Sequence, residues 1–126
     1  MSVRIIKIKW STFIKYTEKD TVKIPTDPGV YEYYSESKKS KTKNRKYLGK
    51  ADNLLSRFNQ HLSKDEENEC LKKFLKDYVW FYRYAIIQIK ADREDAELGL
   101  YRKYSYDCNK VEPPGSGKGT FKIEES

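Results

Sequence analysis

The chain has 126 residues and a formal charge of +7, from 26 Lys and Arg against 19 Asp and Glu. That length suits one domain with a modest core, and no segment nears the run of about 20 apolar residues that a membrane helix needs. The stretch from Met1 to Lys7 lacks the apolar run and small-residue cleavage site of a secretory signal, so a soluble cytoplasmic protein is expected. The basic balance favours a polyanionic partner, because clustered cations gain by releasing counterions from phosphates. Cys70 and Cys108 have no zinc-ligand spacing and only one histidine to join them, so two buried thiols in a reducing compartment are expected.

Residues 1–27 read as an extension ahead of the main fold, with a crude alternation from Val3 to Trp10 that suits an edge strand. Pro25 and Asp27-Pro28-Gly29 mark a turn. Val30 to Tyr34 then reads as a strand, Ser35 to Arg45 as a polar, basic loop, and Lys46 to Gly49 as the returning strand of a hairpin. Asp52 is the expected cap of a first helix with an apolar stripe of Leu54, Leu55, Phe58 and Leu62. Ser63 to Glu66 has the form of a capping box for a second, with Cys70, Leu71, Phe74, Leu75 and Tyr78 as its stripe. Val79 to Ile89 is too rich in aromatic and β-branched residues for a helix and reads as a central strand. A third helix is expected from Arg93 to Tyr106, capped by Asp92, and Pro113-Pro114-Gly115 closes regular structure. The expected class is α+β, a small central, mostly antiparallel sheet flanked by helices.

Pro28-Gly29-Val30-Tyr31 on the first hairpin strand and Tyr47-Leu48-Gly49-Lys50 on the second carry a resemblance, extended by Arg57, His61, Glu97 and, twelve residues on, Asn109. In order and on these elements, the positions resemble the GIY-YIG nuclease family over residues 28–110. Val30 and Leu48 stand where the family usually has isoleucine, and the gap between the motifs is longer than usual. The resemblance implies an endonuclease that hydrolyses DNA phosphodiesters with one Mg²⁺ or Mn²⁺ ion. The alternative is a DNA-binding or adaptor module that keeps the fold without turnover.

Phosphodiester hydrolysis needs a base for water, positive charge on the phosphate and help for the departing oxygen. By resemblance Tyr31 is the proton acceptor, and its phenol, ordinarily titrating near pH 10, is expected to be lowered by Lys50, Arg57 and the phosphate-bound metal. The plainer alternative is a cross-strand Tyr31–Tyr47 pair that only packs the hairpin. Arg57 and His61 are four apart, so they share a helix face and can reach one phosphate. Tyr47 is placed to contact phosphate or water. Glu97 is the implied metal ligand, though Glu94 and Asp95 crowd the same helix start. Gly29, Gly49 and Asn109 are expected to support the site, Asn109 by anchoring backbone through its amide.

The cations Lys38, Lys39, Lys41, Lys43, Arg45 and Lys46 either straddle the DNA backbone or form a solvated loop. Pro114 to Thr120 looks like a nucleotide phosphate loop, but Glu112 occupies the place of its first glycine and too little chain remains for the helix. No nucleoside triphosphate is therefore expected, and residues 111–126 read as a flexible tail. Strong sequence specificity is not expected of so minimal a domain, so a homodimer or a targeting partner is the route to it.

Overall fold

A computed structural model describes residues 3–16, 23–37, 39–77 and 79–126; Lys38 and Tyr78, assigned above to the basic loop and the second helix, lie outside them. Along the chain the elements are β1 (Arg4–Ile8), β2 (Ile14–Lys15), β3 (Gly29–Glu36), β4 (Lys43–Ala51), α1 (Leu54–Leu62), α2 (Glu69–Asp77), β5 (Trp80–Ile86), α3 (Lys90–Lys103) and β6 (Phe121–Glu125). β2, β5, β3 and β4 form an antiparallel sheet in that order, with β3 and β5 inside and β4 at an edge. Side chains alternate across it. Tyr31, Tyr33 and Tyr82 pack under α1 and α2 against Leu54, Phe58 and Leu71, while Val30, Leu48 and Ala85 pack on the other face with Ala96 and Leu100 of α3. The α+β class expected from the sequence is the class observed.

The hairpin runs further than its polar sequence suggests. β3 and β4 continue to the Glu36–Lys43 pair, with Lys46 bulged between Tyr33 and Tyr34 of the register, so the pairing takes in most of the stretch expected as a loop, and Lys39 and Ser40 form a turn. Pairing succeeds there because the basic residues meet acids and rings: Lys43 Nζ lies 3.4 Å from Glu36 and over the Phe81 ring, and Arg45 Nε lies 3.4 Å from Glu32.

Each expected helix forms, but the caps shift. Asn53, not Asp52, caps α1, its side chain accepting from the Ser56 N–H at 2.9 Å. Asn68 caps α2 by accepting from Leu71 N–H at 3.0 Å, so Ser63–Glu66 is a turn between helices rather than a capping box. α3 begins at Lys90, which puts Asp92 inside its first turn. At α1 and α2 an asparagine takes the capping role, while the N-cap position of α3 is Ile89, which makes no side-chain cap bond.

Residues 121–125 are not a flexible tail. They form β6, parallel to β1, and α3 lies between this pair and the main sheet. Asp95 anchors the approach: buried to 2% exposure, it accepts from Ser116 N–H at 2.8 Å and Ser116 Oγ at 2.6 Å and pairs with Arg4. Positive φ at Gly115, Gly117 and Gly119 lets the glycine-rich segment turn back onto the helix. The cysteines also depart from expectation. Cys70 of α2 and Cys108 are joined in a disulfide across 38 residues. Their separation in sequence hides a contact created by the packing of α2 beside the segment after α3.

Burial raises the pKa of Tyr31, Tyr33, Tyr34, Tyr82 and Tyr106. Protonated phenols inside the fold stabilise it fully below the unfolded pKa of about 10, and that stability is lost as pH rises through the folded values. The urea midpoint is expected to fall steeply above about pH 10, with part of the phenolate absorbance appearing only as structure is lost. Complete tyrosine ionisation with the fold intact would contradict this burial.

Candidate active site

Two glycines make room for the centre of the site. A Cβ at Gly49 would lie 2.3 Å from both Cζ and the hydroxyl oxygen of Tyr31, and one at Gly29 would lie 2.2 Å from the Ala85 carbonyl oxygen. The Tyr31 ring therefore crosses the bare backbone of β4. Its cross-strand partner is Gly49, while Tyr47 stands opposite Tyr33. Tyr31 and Tyr47 are thus diagonal neighbours, with ring centroids 6.3 Å apart, rather than the directly opposed pair considered from the sequence.

The Tyr31 hydroxyl donates to His61 Nε2 at 2.6 Å, and His61 Nδ1 donates to Glu66 Oε2 at 2.5 Å. Burial lowers the His61 pKa, against the upward pull of Glu66, which keeps the ring neutral near pH 7. A carboxylate can only accept, so the ring proton sits on Nδ1 and Nε2 offers its lone pair to the phenol. The sequence reading missed Glu66. No helical spacing joins residues five apart, and only the turn after Leu62 brings its carboxylate back beneath the ring.

Arg57 lies one helical turn before His61 on α1 and is steadied by Gln60 Oε1 at 3.0 Å. Its guanidinium faces both phenols. Burial raises each, with Arg57 pulling each back down by charge and hydrogen bonding. For Tyr31 burial prevails by a wide margin, and its pKa stands well above the ordinary value. Burial thus opposes the lowering expected of the Tyr31 phenol. At 1% exposure the water that would solvate a phenolate is gone, and Lys50 points elsewhere. Tyr47 is only partly buried.

Lys50, on the opposite face of β4, reaches Glu97 Oε1 on α3 at 3.7 Å. Burial raises the Glu97 pKa, with Lys50 opposing and Glu94 adding to it. The crowded acids at the start of α3 separate by partner: Asp92 and Asp95 turn to Arg4, whereas Glu97 turns to β4 and acts electrostatically on Tyr47. No group of three or more ligating side chains exists among the described residues. A single carboxylate is nonetheless a donor set that Mg²⁺ accepts, since it retains most of its water.

Asn109 clamps the edge strand, its Oδ1 accepting from Leu48 N–H at 2.8 Å and its Nδ2 donating to the Leu48 carbonyl at 2.9 Å. The amide copies the two bonds of a neighbouring strand residue and fixes the backbone between Tyr47 and Gly49. Of the basic residues, Lys43 and Arg45 pair with Glu36 and Glu32, and Lys46 Nζ meets Asp107 at 2.6 Å. Lys39 and Lys41 are exposed at the turn.

Among the solved structures that match this arrangement of strands and helices are two of one domain. Both are the GIY-YIG N-terminal endonuclease domain of UvrC from Thermotoga maritima, as point mutants with one tyrosine changed to phenylalanine and bound to a catalytic divalent cation. One superposes with a TM-score of 0.58 at 22% identity, the other with 0.55 at 21%, and each alignment covers 76% of this chain and 100% of that domain. The chain has the GIY-YIG fold. Comparison of sequence alone matches no family model and no curated protein. On the GIY-YIG fold the paired tyrosine motifs occupy β3 and β4, and Arg57, His61 and Glu97 come to them from α1 and α3.

Gly49→Ala is expected to displace the Tyr31 ring and break its bond to His61, at a cost of about 1–3 kcal/mol for overpacking a filled site. Urea denaturation measures the loss, and the His61 ring resonances report the broken bond. Full stability with unshifted resonances would mean that the ring does not lie over Gly49.

Proposed function

We propose that this chain is a metal-dependent endonuclease that hydrolyses DNA phosphodiester bonds. The observation that carries the reading is the convergence on Tyr47 of Arg57 and the Glu97 carboxylate, each acting electrostatically on its phenol, with Lys50 beside Glu97. Its support from outside the chain is the fold shared with an endonuclease domain that binds a catalytic divalent cation.

Of the two phenols, Tyr47 is the one placed to take the proton from water. It is partly exposed, it faces Arg57, and Tyr31 has already committed its proton to His61. Tyr31 then acts as a positioning residue, the reverse of the order implied by the motifs alone. Arg57 offers a planar fork of donors to phosphate oxygens and stabilises the Tyr47 phenolate in the same act. Lys50 adds a point charge beside Glu97. Glu97 is the residue to hold Mg²⁺ or Mn²⁺, which supplies Lewis-acid stabilisation of the phosphate and of the departing oxygen. The Glu97 charge is one of the pushes that hold the Tyr47 phenol protonated, so neutralising Glu97 favours ionisation of Tyr47 to the phenolate that can accept a proton from water. The net charge of +7 suits a DNA partner, with Lys39 and Lys41 left to meet phosphates near the turn.

Plasmid nicking with Mg²⁺ or Mn²⁺ tests the reading. Tyr47→Phe is expected to slow single-turnover cleavage by about 10²–10⁴-fold with duplex affinity unchanged, and Glu97→Gln to abolish metal-stimulated cleavage while preserving the fold. A wild-type protein that binds duplex but leaves plasmid intact with either metal is a binding module. Cleavage by Tyr47→Phe near the wild-type rate moves the base to another group.

A further inference from the structure

We propose that Glu66 is a positioning residue of this site: through His61 and Tyr31 it sets the direction of a buried hydrogen-bond chain that ends on Arg57. The effect on rate rests on the nuclease reading, whereas the effect on His61 does not. The chain has an acceptor-only end and a donor-only end. An ionised carboxylate accepts, so His61 Nδ1 must donate to Glu66; a neutral imidazole then has only its Nε2 lone pair left, so the Tyr31 hydroxyl must donate to it. The Tyr31 oxygen is left with lone pairs alone, and the group facing them is Arg57, which only donates. No link can reverse while both ends keep their character.

Burial makes the direction consequential. The His61 side chain is 0% exposed and that of Glu66 7%, so water does not replace a lost link, and an unmatched one is costly. Glu66 is itself held, its second oxygen accepting from Asn68 N–H at 3.0 Å. The ionisable groups around His61 are Tyr31 and Tyr33 from β3, Tyr47 from β4, Arg57 from its own helix, Glu66 from the turn, and Lys64, Lys72 and Lys76 along the neighbouring depression. Glu66 is the carboxylate in contact with the ring.

The experiment uses nitrogen-edited NMR, which is direct because His61 is the only histidine. The wild-type ring is expected as the single Nδ1–H tautomer near neutral pH. Glu66→Gln retains size but presents either an amide donor or an oxygen, so both tautomers should appear, and loss of the carboxylate should lower the His61 pKa further. Single-turnover cleavage should fall by about 10–100-fold with KM nearly unchanged, and Glu66→Asp, which keeps an acceptor-only end, should restore the single tautomer and part of the rate. A wild-type ring protonated on Nε2, or a tautomer unmoved by Glu66→Gln, overturns the proposal. A shifted tautomer with an undiminished rate overturns its catalytic part. A shifted tautomer in a protein that never cleaves DNA supports the chain and overturns the nuclease reading instead.

Discussion

β3 is covered on both faces, and the rest of the molecule answers to that constraint. A strand buried on both sides cannot send a polar group to solvent, so every such group on it must find a partner inside. Glu32 does so on one face, accepting from Tyr34 at 2.6 Å and Arg83 at 2.7 Å and also from Tyr106. Tyr31 does so on the other through His61. The exceptions among the described residues are the Tyr33 hydroxyl of β3 and, on the neighbouring β5, the Tyr82 hydroxyl, which have no partner. Groups that meet a substrate must therefore come from β4, whose outer side is an edge, and from the helices beside it.

That requirement explains why the site straddles a strand. Alternation sends Tyr47 toward α1 and Lys50 toward α3. Arg57 and His61 approach from the first side and Glu97 from the second, and no single face of the sheet holds them all. Gly49, between Tyr47 and Lys50 in the chain, has no side chain to keep the halves apart. The Asn109 clamp on Leu48 fixes the strip of backbone to which both halves refer.

The parts of this arrangement that local patterns encode were legible in the sequence. Apolar spacing located α1 through Leu54 and Phe58, aromatic density located β3 and β5, and the two tyrosine motifs pointed to the hairpin. What escaped depended on distant chain. β6 is five residues of weak alternation whose partner, β1, lies at the opposite end of the sequence. The Cys70–Cys108 bond requires α2 to settle beside the segment after α3. The cations near Tyr31 are visible in a motif, whereas the depth of burial that opposes them belongs to the packed core. Glu66 escaped because its local pattern offered a different and plausible use as a helix cap.

An edge strand ordinarily invites another strand to join it. Here the segment around Asn109 already occupies that position: Cys108 N–H donates to the Lys46 carbonyl at 2.8 Å, Asn109 takes both backbone groups of Leu48, and the disulfide ties the segment to α2. The middle of β4 therefore has no vacant ladder to lend. A second copy of the chain therefore cannot extend the sheet by pairing with the backbone of Lys46 and Leu48.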